Sequence, residues 1–347
     1  MAASVGDENW LRWLEGLVGK PAELGLPNLP PPSLFCCRLD EQPDHLVPGH
    51  FFRTQDWADP RGPVVLNPSC CFSREGRLPP ELAGIAGLLS GFALQQEVVW
   101  IQHAGTGAWQ PYWVDHATSQ ELIASPGRDF AAGPLPAAAL RALIMAGILG
   151  GLNFVAQQGA AWKEAISHGA GEMQRKSYAP LRGLIHPFHI SALRRYFRYL
   201  IRTNKVPFGD RQCPGRYVAD DDAVARFFHY HLAPFVAAIV GEPVKPSYAY
   251  VVSYQEGAEL HKHTDREQCE FSITLCLDFT PEPHHATAWP IHLYTSAGRV
   301  TLFQAIGDAL LYRGRELPHS RDLLPRGFTS TSMLFHYVRE DFCGRLN

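Results

Sequence analysis

The stretch 259-ELHKHTDREQCEFSITLCLDF-279 places two histidines and an aspartate directly ahead of an alternating apolar run. In its second half Phe271, Ile273, Leu275 and Leu277 fall on one face and Ser272, Thr274 and Cys276 on the other, the period-two pattern of a β-strand. In an extended chain, residues two apart share a face, so His263 and Asp265 can approach one ion together. An imidazole nitrogen and a carboxylate oxygen suit a first-row divalent metal such as Fe(II), but two ligands are too few. The expected third is His319, much further on in "YRGRELPHSRDLLP" and again in a strand-like segment. Two histidines and one carboxylate form a facial set that leaves coordination positions open.

Working outward, nearly everything after residue 244 reads as strand. "SYAYVVSY" sets Tyr248, Tyr250, Val252 and Tyr254 on one face, and "PIHLYTS", "RVTLFQ", "DALLYRG", "LPHSRDL" and "TSTSMLFHYV" follow with turns between them. Many short strands at regular spacing predict a sandwich or a jelly-roll barrel. Residues 190–203 and about 221–240 read as helices that buttress it, the second opening on a run of Asp and stopped by Gly241 and Pro243. Arg194, Arg195, Arg198 and Arg202 read as the solvated face of the first helix, opposite Ile190, Leu193, Phe197, Leu200 and Ile201. His229 and His231 are two apart on a helix and face different directions, which is poor metal geometry. His284 and His285 read as exposed loop residues, and His292 and His336 as packed on strands.

The N-terminal part has a different grammar. "GLPNLPPPSLF" is an extended connection, "PPELAGIAGLLSGF" looks helical, and "PLPAAALRALIMAGILGGLNFVAQQ" reads as one glycine-interrupted helix. "EVVWIQHAGTGAWQPYWVDHA" reads as a hairpin around "GTG", either a structural element or a lid or substrate platform. The expected organisation is α+β: residues 1–170 as an accessory domain and candidate for substrate binding, then residues 171–347 as the helix-buttressed barrel.

Composition narrows the partners. The 347 residues are 46% hydrophobic and 19% charged with a net charge of −3, which gives no electrostatic reason to expect nucleic acid or an anionic membrane. The start carries Asp7 and Glu8 where a signal peptide has a basic segment, and the apolar run 142–152 falls short of the ~20 residues that span a bilayer. A cytoplasmic location follows as an expectation. The eight cysteines form no C-x-x-C and read as reduced, mostly buried thiols.

Tyr254, Gly257, Leu260, His263 and Asp265 spell Y-x-x-G-x-x-L-x-x-H-x-D, followed by the alternating strand, "GDALLY" and the distal His319. Over about residues 245–340 this combination resembles the 2-oxoglutarate/Fe(II)-dependent oxygenases, within them the prolyl-hydroxylase-like branch. The resemblance implies a double-stranded β-helix of the jelly-roll, cupin-like kind, with Fe(II) held by His263, Asp265 and His319. It implies O2 and 2-oxoglutarate as co-substrates and hydroxylation of an unactivated C–H in an amino acid, peptide, protein or related small molecule, with release of succinate and CO2. Desaturation and ring formation are further outcomes of the same chemistry, whereas the halogenating relatives lack the carboxylate that Asp265 supplies. The pattern gives the ligand role to His263, so His261 becomes a rim residue or substrate contact, and Tyr254 matches the strand tyrosine that donates to the co-substrate. One departure stands out. The Arg or Lys that pairs with the distal 2-oxoglutarate carboxylate falls here on Thr329, although the nearby Gly327 is in place. Arg321, two residues beyond His319 and on its face, is the first candidate for that cation, and Arg326 the second. The rival readings are a cupin-type metalloenzyme that uses no 2-oxoglutarate and a non-catalytic barrel module.

Overall fold

A computed structural model of the chain describes residues 31–41, 62–103, 105–124 and 127–346. The acidic start and the first part of the proline-rich connection lie outside the described residues. The N-terminal part contains strands β1 (Val64–Leu66), β2 (Cys70–Ser73), β3 (Val98–Gln102), β4 (Trp109–Trp113) and β5 (Leu149–Gly151). Helices α1 (His116–Ala124), α2 (Ala137–Met145) and α3 (Phe154–Lys176) lie among and after them, and "PELAGIAGL" forms a 3-10 helix, Pro80–Leu88. β2, β3 and β4 make an antiparallel sheet whose β3–β4 hairpin is the one expected. Trp100, Trp109, Tyr112 and Trp113 of that hairpin are buried in the main core, which makes it a structural element rather than a lid.

The segment expected to be one interrupted helix is instead α2, β5 and α3. Gly147 turns the chain at φ +75°, and β5 then pairs with β1. A Cβ at Gly150 would collide with the Phe154 ring, so the close return onto α3 needs glycine there. The change of composition near residue 170 falls inside α3.

The C-terminal part runs β6 (Tyr178–Leu181), α4 (Pro187–Arg202), β7 (Arg216–Asp220), α5 (Ala223–Val240), β8 (Val244–Tyr254), β9 (Leu260–His263), β10 (Phe271–Thr280), β11 (Ile291–Thr295), β12 (Gly298–Leu302), β13 (Ala309–Tyr312), β14 (His319–Arg321) and β15 (Thr329–Arg339). Pro187 suits the first turn of α4, where its missing N–H costs nothing. Asp222 caps α5 by accepting from the N–H groups of Val224 and Ala225, and Gly241 at φ +80° ends it. Two antiparallel sheets result, six strands in the order β6-β13-β10-β15-β8-β7 and four in the order β12-β11-β14-β9. β10 is buried on both faces, and the period-two reading separates what each face meets. Phe271, Ile273, Leu275 and Leu277 enter the core shared with α4 and α5, at roughly 2 kcal/mol of stabilisation each, and Thr274 faces a cleft between the sheets.

The basic face of α4 is exposed at Arg202 as expected, half-buried at Arg195 and Arg198, and corrected at Arg194. Arg194 is 1% exposed and holds Asp278 through Nε at 3.1 Å and Nη2 at 3.0 Å, while Nη2 also reaches Glu282 at 2.9 Å. Arg198 donates to the same Asp278 at 2.5 and 2.7 Å, and Arg195 pairs with Glu41. Asp278 sits where the β10–β15 register shifts, and the arginines of α4 neutralise that buried carboxylate.

Four buried or half-buried histidines make the fold less stable in acid. His186, His189, His229 and His231 each donate a ring N–H to a backbone carbonyl, those of Met145, Pro111, His336 and Phe227. Burial pushes their pKa values down from 6.5 to about 3, 4, 3 and 4. Between pH 6.5 and about 4 the unfolded chain takes up protons that the folded chain refuses, so stability falls as pH falls. Each group contributes at most about 1.4 kcal/mol per pH unit in that window. Urea midpoints are therefore expected to drop steeply from pH 7 to 4.5; a flat profile would contradict neutral burial of these rings.

Candidate metal centre and cleft

β9 and β14 pair antiparallel with His319 opposite His263 and Arg321 opposite Leu260, so that His261 and Lys262 on β9 stand against the single Ser320 on β14. That bulge turns both Leu260 and His263 toward the cleft alongside His319 and Arg321. His261 consequently does not share the face of His263: its side chain is 83% exposed and pairs with Glu259. Asp265 lies beyond the end of β9, where its N–H donates to the Gly314 carbonyl at 2.9 Å. It reaches His263 from a loop, not by strand alternation.

The ligand atoms of His263, Asp265 and His319 lie within 4.8 Å of one another. Asp265 Oδ1 is 3.8 Å from His263 Nε2 and 3.5 Å from His319 Nε2. Each imidazole is held from behind. His263 Nδ1–H donates to the His261 carbonyl at 2.8 Å and His319 Nδ1–H to that of Leu317 at 3.0 Å. With both Nδ1 atoms acting as donors, each Nε2 carries a lone pair; that of His263 accepts from the Gln212 amide, and Tyr312 Oη lies 3.4 Å from that of His319. Burial lowers the pKa of His319, against the opposing pull of Asp265, and so favours the neutral ring that a metal requires. Asp265, Cys269 and His336 form a second close group, but Cys269 Sγ hydrogen-bonds Tyr248 Oη at 2.9 Å and burial pushes its thiol up to about 12. It is a thiol, not a thiolate.

Beside the centre, Arg321 is 5% exposed on β14. It donates to the Trp289 carbonyl at 2.8 Å and to Gln304 Oε1 at 3.1 Å, with its guanidinium over the Trp289 ring. Arg326 is exposed in the following turn and does not line the cleft. Tyr254 does line it, and its Oη accepts from Arg216 Nη1 at 2.9 Å. Arg216 also grips Asp210 and Gln212, and the Gln212 amide donates to His263 Nε2 at 3.1 Å. Ser332 Oγ and His336 Nε2 are buried, line the cleft and have no hydrogen-bond partner among the described residues. Buried polar atoms are nearly always satisfied, so this pair marks where a polar ligand fits.

Sequence reading missed Arg216, Gln212, Gly314, Ser272, Ser332 and His336. The last three had a signal, since they occupy the inward parity of their strands, Ser272 with Thr274 and Ser332 with His336. His284 and His285 are exposed, and His292 is buried and bonded to Thr301 and Asp322.

No protein-family model and no curated protein matches the chain. Among solved structures it is similar to a prolyl-4-hydroxylase from Pseudomonas putida, at 14% identity and TM-score 0.41 over 49% of this chain and 98% of that one. It is also similar to a prolyl hydroxylase from Trichoplax adhaerens in complex with a hypoxia inducible factor peptide fragment, at 10% identity and TM-score 0.45 over 52% and 92%. A third is an oxidoreductase of the 2OG-Fe(II) oxygenase family from Burkholderia pseudomallei, at 10% identity and TM-score 0.41 over 52% and 93%. These solved structures are 2-oxoglutarate/Fe(II) oxygenases, the class that the sequence motif resembles. What the cleft of this chain can do is decided by its own residues.

Gly314 supplies a direct test of the centre. A Cβ there would collide with Asp265 Oδ2 and come within 2.6 Å of Ser272 Oγ and the Cys269 carbonyl. Gly314→Ala is expected to swing the carboxylate away from the histidines and weaken Co(II) binding by roughly tenfold or more in calorimetric titration. Unchanged affinity would remove Asp265 from the ligand set.

Proposed function

We propose that the chain is a 2-oxoglutarate- and Fe(II)-dependent oxygenase that hydroxylates an unactivated C–H bond of an amino-acid, peptide, protein or related small-molecule substrate. The observation that carries this reading is the convergence of His263 Nε2, His319 Nε2 and Asp265 Oδ1 beside a buried guanidinium, in a cleft between two antiparallel sheets. The two sheets are read as a jelly-roll, double-stranded β-helix barrel.

The residues fit the groups proposed. Two neutral imidazole nitrogens and one carboxylate oxygen suit Fe(II) and leave positions for other ligands. A dicarboxylate co-substrate needs a cation at its far end, and Arg321 offers one on the same face as His319. Ser332 Oγ supplies an unpartnered hydroxyl in the same cleft. Because Arg216 donates to Tyr254 Oη, the phenolic proton is left to be donated to a bound carboxylate. Bound Fe(II), 2-oxoglutarate and O2 supply the oxidising chemistry, ending in succinate, CO2 and hydroxylated product. The chain contributes the rest: it binds the metal through three side chains, orients the co-substrate through Arg321 and Tyr254, and excludes water with Leu260, Ile291, Tyr312 and Leu334.

Anaerobic protein given Fe(II) and 2-oxoglutarate is expected to develop the weak visible charge-transfer band of the ternary complex, and no band would overturn the oxygenase reading. His319→Ala should abolish it. Arg321→Ala should raise the 2-oxoglutarate concentration needed by roughly 10- to 100-fold, the worth of a charged hydrogen-bonding partner, while Arg326→Ala leaves it unchanged. The reverse order would move the co-substrate carboxylate to the turn.

A further inference from the structure

The Asp265 carboxylate divides the work of its two oxygens. Oδ1 faces both histidine Nε2 atoms, whereas Oδ2 accepts the Ser272 hydroxyl at 2.7 Å. Ser272 is fully buried on β10 and stands directly opposite His336 of β15 in the sheet register. His336 Nδ1 lies 3.0 Å from Ser272 Oγ. Since the serine proton goes to the carboxylate, Ser272 Oγ accepts from His336, and Nδ1 carries the hydrogen. The chain of donors is therefore His336 Nδ1–H to Ser272 Oγ–H to Asp265 Oδ2.

The imidazole at its head has little freedom. It is 3% exposed and packs against Tyr248 and Tyr250, with ring centroids at 4.6 and 5.6 Å. Its own backbone carbonyl accepts from His229 Nε2 at 2.7 Å, tying the residue to α5. Gly314 packs against the other two members, leaving no room for a Cβ against either Asp265 Oδ2 or Ser272 Oγ. Independently, His336 Nε2 is a buried atom with no partner among the described residues and lines the cleft, so the ring is presented to the ligand space as well as to Ser272.

We propose that Ser272 and His336 are positioning residues that keep Asp265 a one-oxygen ligand, with Oδ2 tied off so that only Oδ1 is offered to the metal. This rests on the oxygenase reading above. A carboxylate free to turn could bind through both oxygens and take up a position that a co-substrate or O2 requires. The Ser272–His336 pair prevents this by holding Oδ2 while Oδ1 faces His263 and His319.

The test uses Co(II) as the probe, titrated into the full chain without turnover, with circular dichroism and thermal unfolding recorded in parallel. Ser272→Ala and His336→Leu are each expected to raise the Co(II) Kd by roughly tenfold or more, the usual cost of losing a group that orients a ligand, and to change the cobalt visible spectrum. His336→Asn, whose amide can still donate to Ser272, is expected to restore binding toward the native value. Native affinity and spectrum in both Ser272→Ala and His336→Leu would overturn the proposal, as would an Asn variant as weak as the Leu variant, since packing alone would then explain the residue. If His336→Leu fails to fold, Ser272→Ala and His336→Asn decide between the same outcomes. Failure of the native chain to bind Co(II) would overturn the oxygenase reading together with this inference, whereas tight native binding with unaffected variants would sink this inference alone.

Discussion

Two residues of β9, His261 and Lys262, set against the single Ser320 of β14 turn Leu260 and His263 into the cleft together with His319 and Arg321. Strict alternation could not do this, because it would send one of Leu260 and His263 outward. The bulge therefore brings the distal histidine across from the proximal one and leaves His261 in solvent. Backbone carbonyls at Leu317 and His261 then hold each ring by its Nδ1–H, and the missing side chain of Gly314 admits the carboxylate. The sheet positions the two histidines, and a loop held to the Gly314 turn positions Asp265.

The cleft around this centre carries more buried polar atoms than a core tolerates unless they are paired. Most are. Arg216 spreads its donors over Tyr254, Asp210 and Gln212, and Arg321 lies over Trp289 while bonding a carbonyl and an amide. Ser332 Oγ and His336 Nε2 remain, and they share the cleft with the three candidate ligands. The far face of the six-stranded sheet shows the same economy, with Arg194 and Arg198 of α4 meeting the buried Asp278 of β10.

Local pattern revealed what depends on local pattern. The alternation of Phe271 to Leu277, the apolar faces of α4 and α5, and the H-x-D pair were all readable, because each is a relation between near neighbours. The bulge was not, since it exists only in the pairing of β9 with β14. Arg194 looked solvated because its own helix is amphipathic; its carboxylate partner belongs to a strand far along the chain. Likewise the second glycine-rich helix dissolved into α2, β5 and α3 because β1 was available to pair with β5. Ser272, Ser332 and His336 could have been found by extending strand parity inward from Thr274, but Gly314 announces itself only once Asp265 has a neighbour.

The central claim is that His263, Asp265 and His319 hold one iron through three atoms. Anomalous diffraction at the iron edge from anaerobically loaded crystals tests it most directly. A single peak is predicted about 2.1 Å from His263 Nε2, His319 Nε2 and Asp265 Oδ1, with Oδ2 still on Ser272. A peak on Cys269 and His336, or none at this cluster, would contradict the account.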